Sequence, residues 1–252
     1  MNVVRSEWTK LRSVRSTWVL ALGTVVASVA VGLLGVAGQV GDAQAQLPAD
    51  WDPTAESLKG LLVGQLLIGV LGASAMAAEY ATGMIVVSLA VVPDRARLLG
   101  AKVAVVVALT SVVAVLTVGA TFLGGQAIIG GAGLPTASLE DPPVLRALLG
   151  GVVYLVAVAS IGLSVATLTR SASGALGVLV ALALLGPALT PALPGAVGEA
   201  IATYWPLAAG QAGYTVVRVA DGVAPGAGLA IGVVFAGGVL VAARVALRRR
   251  HA

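Results

Sequence analysis

Residues 103–129 read VAVVVALTSVVAVLTVGATFLGGQAII, a run without a single Asp, Glu, Lys or Arg. A hydrocarbon core roughly 30 Å thick takes about 20 apolar residues of helix, and lipid offers the backbone no hydrogen-bond partner. A run of this length therefore reads as a membrane-spanning helix, and it lacks the period-2 alternation of a barrel strand. Five further stretches meet the same length criterion, at 17–37, 61–78, 147–166, 175–193 and 229–246. Composition agrees: 58% of the residues are hydrophobic and only 10% charged, far more apolar surface than a soluble fold of this size could bury. The predicted fold is an all-α membrane protein with six transmembrane helices in a single transmembrane domain, 1–252.

Lysine and arginine near the ends of spans stay on the cytoplasmic side. With the N-terminus inside, the inner segments hold Arg5, Lys10, Arg12, Arg15, Arg95, Arg97, Lys102, Arg170, Arg244, Arg248, Arg249 and Arg250, twelve of the fifteen basic residues. Lys59, Arg146 and Arg218 fall outside. The acids sort the other way, with Glu7, Glu79 and Asp94 inside and Asp42, Asp50, Asp52, Glu56, Glu140, Asp141, Glu199 and Asp221 outside. Both termini are predicted cytoplasmic. The basic excess thus expresses topology and attraction to anionic lipid at the inner leaflet, with no nucleic-acid partner. There are no cysteines, so disulfide and thiol chemistry are excluded.

Ahead of the first span, residues 3–16 place Val4, Trp8, Leu11 and Val14 on one helical stripe with Arg5, Lys10 and Arg12 off it, the pattern of an interfacial amphipathic helix. The chain should bend toward the membrane near Arg15. A basic region, an apolar run and Ala43-Gln44-Ala45 imitate a secretory signal, but the run exceeds the roughly 7–15 residues of a signal core and reads as a retained span. Pro187 and Pro191 lie in the fifth span with Pro194 just beyond, so its outer half should kink. Residues 195–226 are outside by charge yet mostly apolar, with Tyr204, Trp205 and Tyr214. They read as an external interfacial segment of short helices. The pairs Gly60/Gly64, Gly69/Gly72, Gly150/Gly151, Gly174/Gly177 and Gly237/Gly238 permit close helix approach, read here as packing within one subunit.

Chemistry-bearing groups are sparse. The one histidine is His251, in the C-terminal tail, which removes zinc and histidine-dependent intramembrane hydrolases. No carboxylate lies in the middle of a span, so an ion relay has no carrier. None of Lys10, Lys59 and Lys102 sits in a GxxxxGK[ST] phosphate loop, so any ATP is bound by another chain. No catalytic, metal-binding or cofactor-binding residue is expected in this chain.

The remaining conspicuous stretch is 79–102, EYATGMIVVSLAVVPDRARLLGAK. It opens with Glu79 at the end of the second span, continues through the helix breaker Gly83 and an apolar segment to Pro93, and ends in a basic turn with Arg95, Arg97 and Lys102. Such a segment presents cations and hydrophobes to a partner.

This pattern resembles the loop between the second and third spans of type 2 ABC exporter permeases, particularly actinobacterial ones. RSEWTKLRSVRSTW at 5–18 resembles the same family's amphipathic N-terminal helix, and PLAAGQA at 206–212 its external segment before the last span. The resemblance implies a permease subunit of the bacterial cell (inner) membrane, paired with a second permease copy as homodimer or heterodimer and with two cytoplasmic ABC ATPases that carry ATP and Mg. It also implies that 79–102 is a cytoplasmic coupling loop, with Glu79, Gly83, Pro93, Arg95, Arg97 and Lys102 matching that loop and Trp8, Lys10 and Leu11 the N-terminal helix. Val86 stands where relatives often carry arginine. The implied function is export of an apolar or amphipathic substrate such as a drug, peptide or lipid. The alternative is a non-transport membrane sensor or immunity protein that binds a lipid or peptide.

Overall fold

The computed structural model describes residues 3–43, 51–218 and 222–249. Asp50, Asp221, Arg250 and His251, together with Gln44 and Ala45 of the signal-like motif and the side chain of Asp42, lie outside the described residues. The described chain is all-helical. In order come α1 (Val3–Ser13), α2 (Arg15–Ala43), α3 (Pro53–Ser57), α4 (Leu61–Ala81), α5 (Met84–Val91) and α6 (Arg95–Gly131). They are followed by α7 (Pro142–Thr169), α8 (Ala172–Leu189), α9 (Gly195–Tyr204), α10 (Pro206–Gln211) and α11 (Pro225–Arg249).

Five of these, α2, α4, α6, α7 and α11, are long and apolar enough to cross a membrane, and α8 is a shorter apolar helix. The expected span 175–193 is therefore not one kinked helix. The α-helix ends at Leu189 and passes through a 3-10 turn, Thr190–Ala192, before α9 begins. Proline supplies no backbone N–H, and three of them within eight positions end the helix outright. The third span differs in the opposite sense. Asp94 accepts backbone hydrogen bonds from Ala96 and Arg97 at 2.9 and 3.2 Å, so α6 starts eight residues before the expected 103. Arg95, Arg97 and Lys102 thereby occupy its first turns and not a basic turn. An aspartate directly ahead of the helix satisfies donors that have no intrahelical partner.

Contacts sort the helices into two ends. At one end the N-terminal helix α1 meets α6 through Glu7 and Lys102, and Arg95 at the start of α6 donates to the Leu247 carbonyl near the end of α11 at 2.8 Å. The two ends of the described chain thus lie at the same end of the bundle. Arg170, the αL residue that closes α7, stands 5.8 Å from the Tyr80 ring at the end of α4, an arrangement suited to cation–π attraction.

At the opposite end Asp52 holds two segments together. One oxygen caps α3, accepting from Thr54 and Ala55 N–H at 3.0 Å each, and the other accepts from Val216 and Val217 N–H at 2.6 and 2.9 Å. Nearby, Gln126 of α6 donates to Pro53 O and Ser57 and accepts from Ala137 N–H. Replacing buried Asp52 with alanine is expected to cost about 2–4 kcal/mol, since a cap and two charge-assisted bonds to a second segment go together. Thermal unfolding in detergent checks this, and a loss under about 1 kcal/mol would mean that water replaces those bonds.

Most of the glycine pairs are internal contacts. A methyl on Gly60 would meet Ser28 O at 1.9 Å, on Gly72 Ala159 O at 1.9 Å, on Gly150 Gly213 O at 2.1 Å and on Gly162 Gly69 O at 2.0 Å. These backbones touch directly, which small residues allow and larger ones forbid. Gly237 and Gly238 of α11 meet nothing within 4 Å. Within the expected interfacial segment, residues 195–214 form two short helices and a 3-10 turn, Ala212–Tyr214. Trp205 among them donates its indole N–H to Leu182 O in α8 at 2.6 Å, and its ring fills the space beside Gly186.

Candidate functional site

The strongest concentration of charge among the described residues joins three of the bundle's helices at the end where α1 lies. Glu7 and Lys10 project from one face of α1, Glu79 from the last turn of α4, and Lys102 from the second turn of α6. The Lys10 ammonium meets Glu7 Oε1 at 2.5 Å, Glu79 Oε1 at 2.6 Å and Ser88 Oγ of α5 at 3.1 Å. The Lys102 ammonium meets Glu7 Oε2 at 2.7 Å, Glu79 Oε1 at 2.8 Å and the Ala75 carbonyl at 3.3 Å. Each ammonium has three hydrogens and each has three acceptors.

Burial decides what this quartet is for. The side chains of Lys102, Glu7 and Glu79 are 3%, 6% and 7% exposed, and only Lys10 reaches solvent, at 31%. Two carboxylates and two ammoniums balance to zero, the condition under which buried charge is tolerable. For Lys10, partial burial pulls the ammonium pKa down, but hydrogen bonds to Glu7 and Glu79 and the charges of both carboxylates outweigh it, and the net displacement is upward.

The local sequence explains how these groups meet. On α1, Val3 and Glu7 are buried while Val4 and Trp8 are exposed, as is Val14 just beyond its end. Val4 and Trp8 thus face outward, as suits a helix lying against lipid, and so do Arg5 and Arg12, while Glu7 turns in and Lys10 is half-buried. Thr82 caps α4, and Gly83 takes a left-handed φ of +70° directly before α5, a conformation natural to glycine. That reversal carries α5 back toward α1, so Ser88 can reach Lys10.

The residues read as a coupling interface thus separate into two groups. Glu79, Lys10 and Lys102 come together in the quartet, with Glu79 and Lys102 enclosed. Leu11 is half-buried against the core, and Arg95 is engaged with the end of α11. Gly83, Pro93, Arg97 and Trp8 are exposed. Arg97 stands at the rim of a groove of about 360 Å³ between α1, α5 and the start of α6, floored by Val3, Val87, Val91 and Leu98.

Sequence reasoning missed Glu7 and Ser88 as members of the site. Glu7 carried a signal: it is an acid within an otherwise basic N-terminal segment, three residues before Lys10, a spacing that puts both on one helical face. Ser88 carried none, because its role depends on where α5 folds. Among the described residues no group of three or more His, Cys, Asp or Glu could hold a metal ion.

A family model described as ABC-2 family transporter protein matches residues 3–186. That range includes α1, all four members of the quartet and the 79–102 segment. No curated protein and no solved structure was found to match the chain.

Proposed function

The chain belongs to the ABC-2 family of transporter membrane proteins, and from that premise we propose that it is the permease subunit of an ATP-driven exporter for an apolar or amphipathic substrate. Permeases of this family work with ABC ATPase subunits. In the proposed assembly two such ATPases carry ATP and Mg, and a second permease copy completes the pathway. The shorter helix α8 serves as a sixth span, and both termini face the cytoplasm of a bacterial cell.

The observation that carries the coupling reading is the quartet. It fastens α1 to α4 and α6, and its contact with Ser88 extends the fastening to α5. A push on the exposed positions of 83–97 would then reach α1, α4 and α6 together and not bend one loop. The difference in ATPase binding energy between nucleotide states supplies that push, shifting the permease between its two access states. Gly83, Pro93, Arg97 and Trp8 form the docking surface in this scheme. Glu79, Lys10, Lys102, Arg95 and Leu11 hold the surface to the bundle.

Copurification tests the reading, because a permease brings down a stoichiometric ATPase and a stand-alone sensor does not. Arg97→Glu, at an exposed position, is expected to lower ATPase association or permease-stimulated hydrolysis at least tenfold while membrane insertion and thermal stability stay unchanged. A variant that inserts normally and couples normally would remove Arg97 from the interface.

A further inference from the structure

Beside the quartet, α1, the start of α2, α4 and α6 enclose a cleft of about 240 Å³. Leu11, Val14, Val105 and Val106 supply apolar wall. Three hydroxyls of the lining have donors that are already committed. Ser13 donates to Lys10 O at 2.8 Å, Ser74 to Leu71 O at 2.7 Å and Thr82 to Ala78 O at 2.8 Å. The hydroxyl hydrogens thus point into their own helices and leave lone pairs for the cleft. Both ammoniums of the quartet are saturated. Glu79, which lines the cleft, uses Oε1 for both lysines, while its enclosed Oε2 has no donor among the described residues. A buried carboxylate oxygen without a donor is a costly arrangement.

We propose that this cleft binds an amphiphile bearing a protonated primary amine, its N–H groups donating to Glu79 Oε2 and the cleft hydroxyls and its hydrocarbon body lying along the apolar wall. An anionic headgroup would stand against Glu79 Oε2, an acceptor of like charge to which it has no hydrogen to donate. A quaternary ammonium carries the charge but no N–H, and charge-assisted hydrogen bonds are the stronger part of such recognition. The inference goes beyond the permease reading, since binding at this cleft requires neither ATPase nor nucleotide.

The test uses the full chain in nanodiscs of phosphatidylcholine, titrated with dodecylamine, dodecyltrimethylammonium or dodecanoate and read by native mass spectrometry. Expected is saturable binding of one dodecylamine per chain, at least tenfold tighter than either of the other two. Ala78→Leu, at an exposed position lining the cleft, should fill it and weaken dodecylamine binding at least tenfold with the melting temperature retained. Ser74→Ala, which removes one acceptor without adding bulk, should weaken it severalfold. Equal binding of the three amphiphiles, preference for dodecanoate, absence of a saturable component, or binding that survives Ala78→Leu would each overturn the proposal. None of these outcomes bears on ATPase copurification, so the two readings fail separately.

Discussion

Replacing Lys102 with methionine is expected to cost about 3–5 kcal/mol of stability, the usual consequence of removing one partner from a buried ion pair. The ammonium is 3% exposed and bonded to both carboxylates of the quartet. Without it Glu7 and Glu79 share Lys10 alone, leaving an uncompensated negative charge inside the protein. The double variant Glu7→Gln with Lys102→Met restores one cation to one anion and should recover at least half of the loss. Thermal unfolding of the detergent-solubilised protein measures both. A single variant within about 1 kcal/mol of the parent would show that the quartet adds nothing to stability, and a double variant no better than the single would show that charge balance is not the reason. Under the permease reading the single variant should also lose ATP-driven transport more than ATPase association, because α1 is released from α4 and α6 while the exposed docking surface remains.

The second large effect is expected at the α4–α7 contact. A methyl group on Gly72 would sit 1.9 Å from the Ala159 carbonyl oxygen, which is backbone and cannot rotate away. Gly72→Ala must therefore push the two helices apart, and a loss of about 1–3 kcal/mol or more follows from overpacking. Gly69 provides the contrast within the same helix. Its nearest neighbours are Leu179 and Val158 side-chain atoms at 3.2–3.4 Å, which can shift, so Gly69→Ala should cost clearly less. Gly237→Ala on α11 meets nothing within 4 Å and should be neutral or slightly stabilising, as helix propensity favours alanine. If Gly72, Gly69 and Gly237 respond alike in unfolding experiments, backbone contact is not what these glycines provide.

Particular residues show how far the sequence could be read. The three acids assigned to the basic side were legible as exceptions to a charge rule, and each proves to have structural work. Glu7 and Glu79 neutralise two lysines, and Asp94 caps α6. The charge rule could place them on a side, but it could not pair Glu7 with Lys102 across 95 residues. Pro93-Asp94 was readable as punctuation, yet whether it ended a loop or opened a helix rested on the cap that Asp94 makes. In α8 the prolines announced a disturbance. Packing of Trp205 over Gly186 depended on a segment that returns from beyond it.

By itself, the sequence determined that this is a multi-pass helical membrane protein, because run length and backbone hydrogen bonding in lipid leave no other solution for stretches such as 103–129. It also determined which segments carry cations and which glycines are available for close packing. Tertiary structure alone decided that Glu79 and Lys102 turn inward while Arg97 and Pro93 remain outside, that Gly72 and not Gly237 is a point of backbone contact, and that Ser88 meets Lys10. The physical reason is that hydropathy and charge constrain each segment separately against lipid and water. Pairing of buried charges and contact between backbones arise only when α1, α4, α5, α6 and α7 occupy the same small volume.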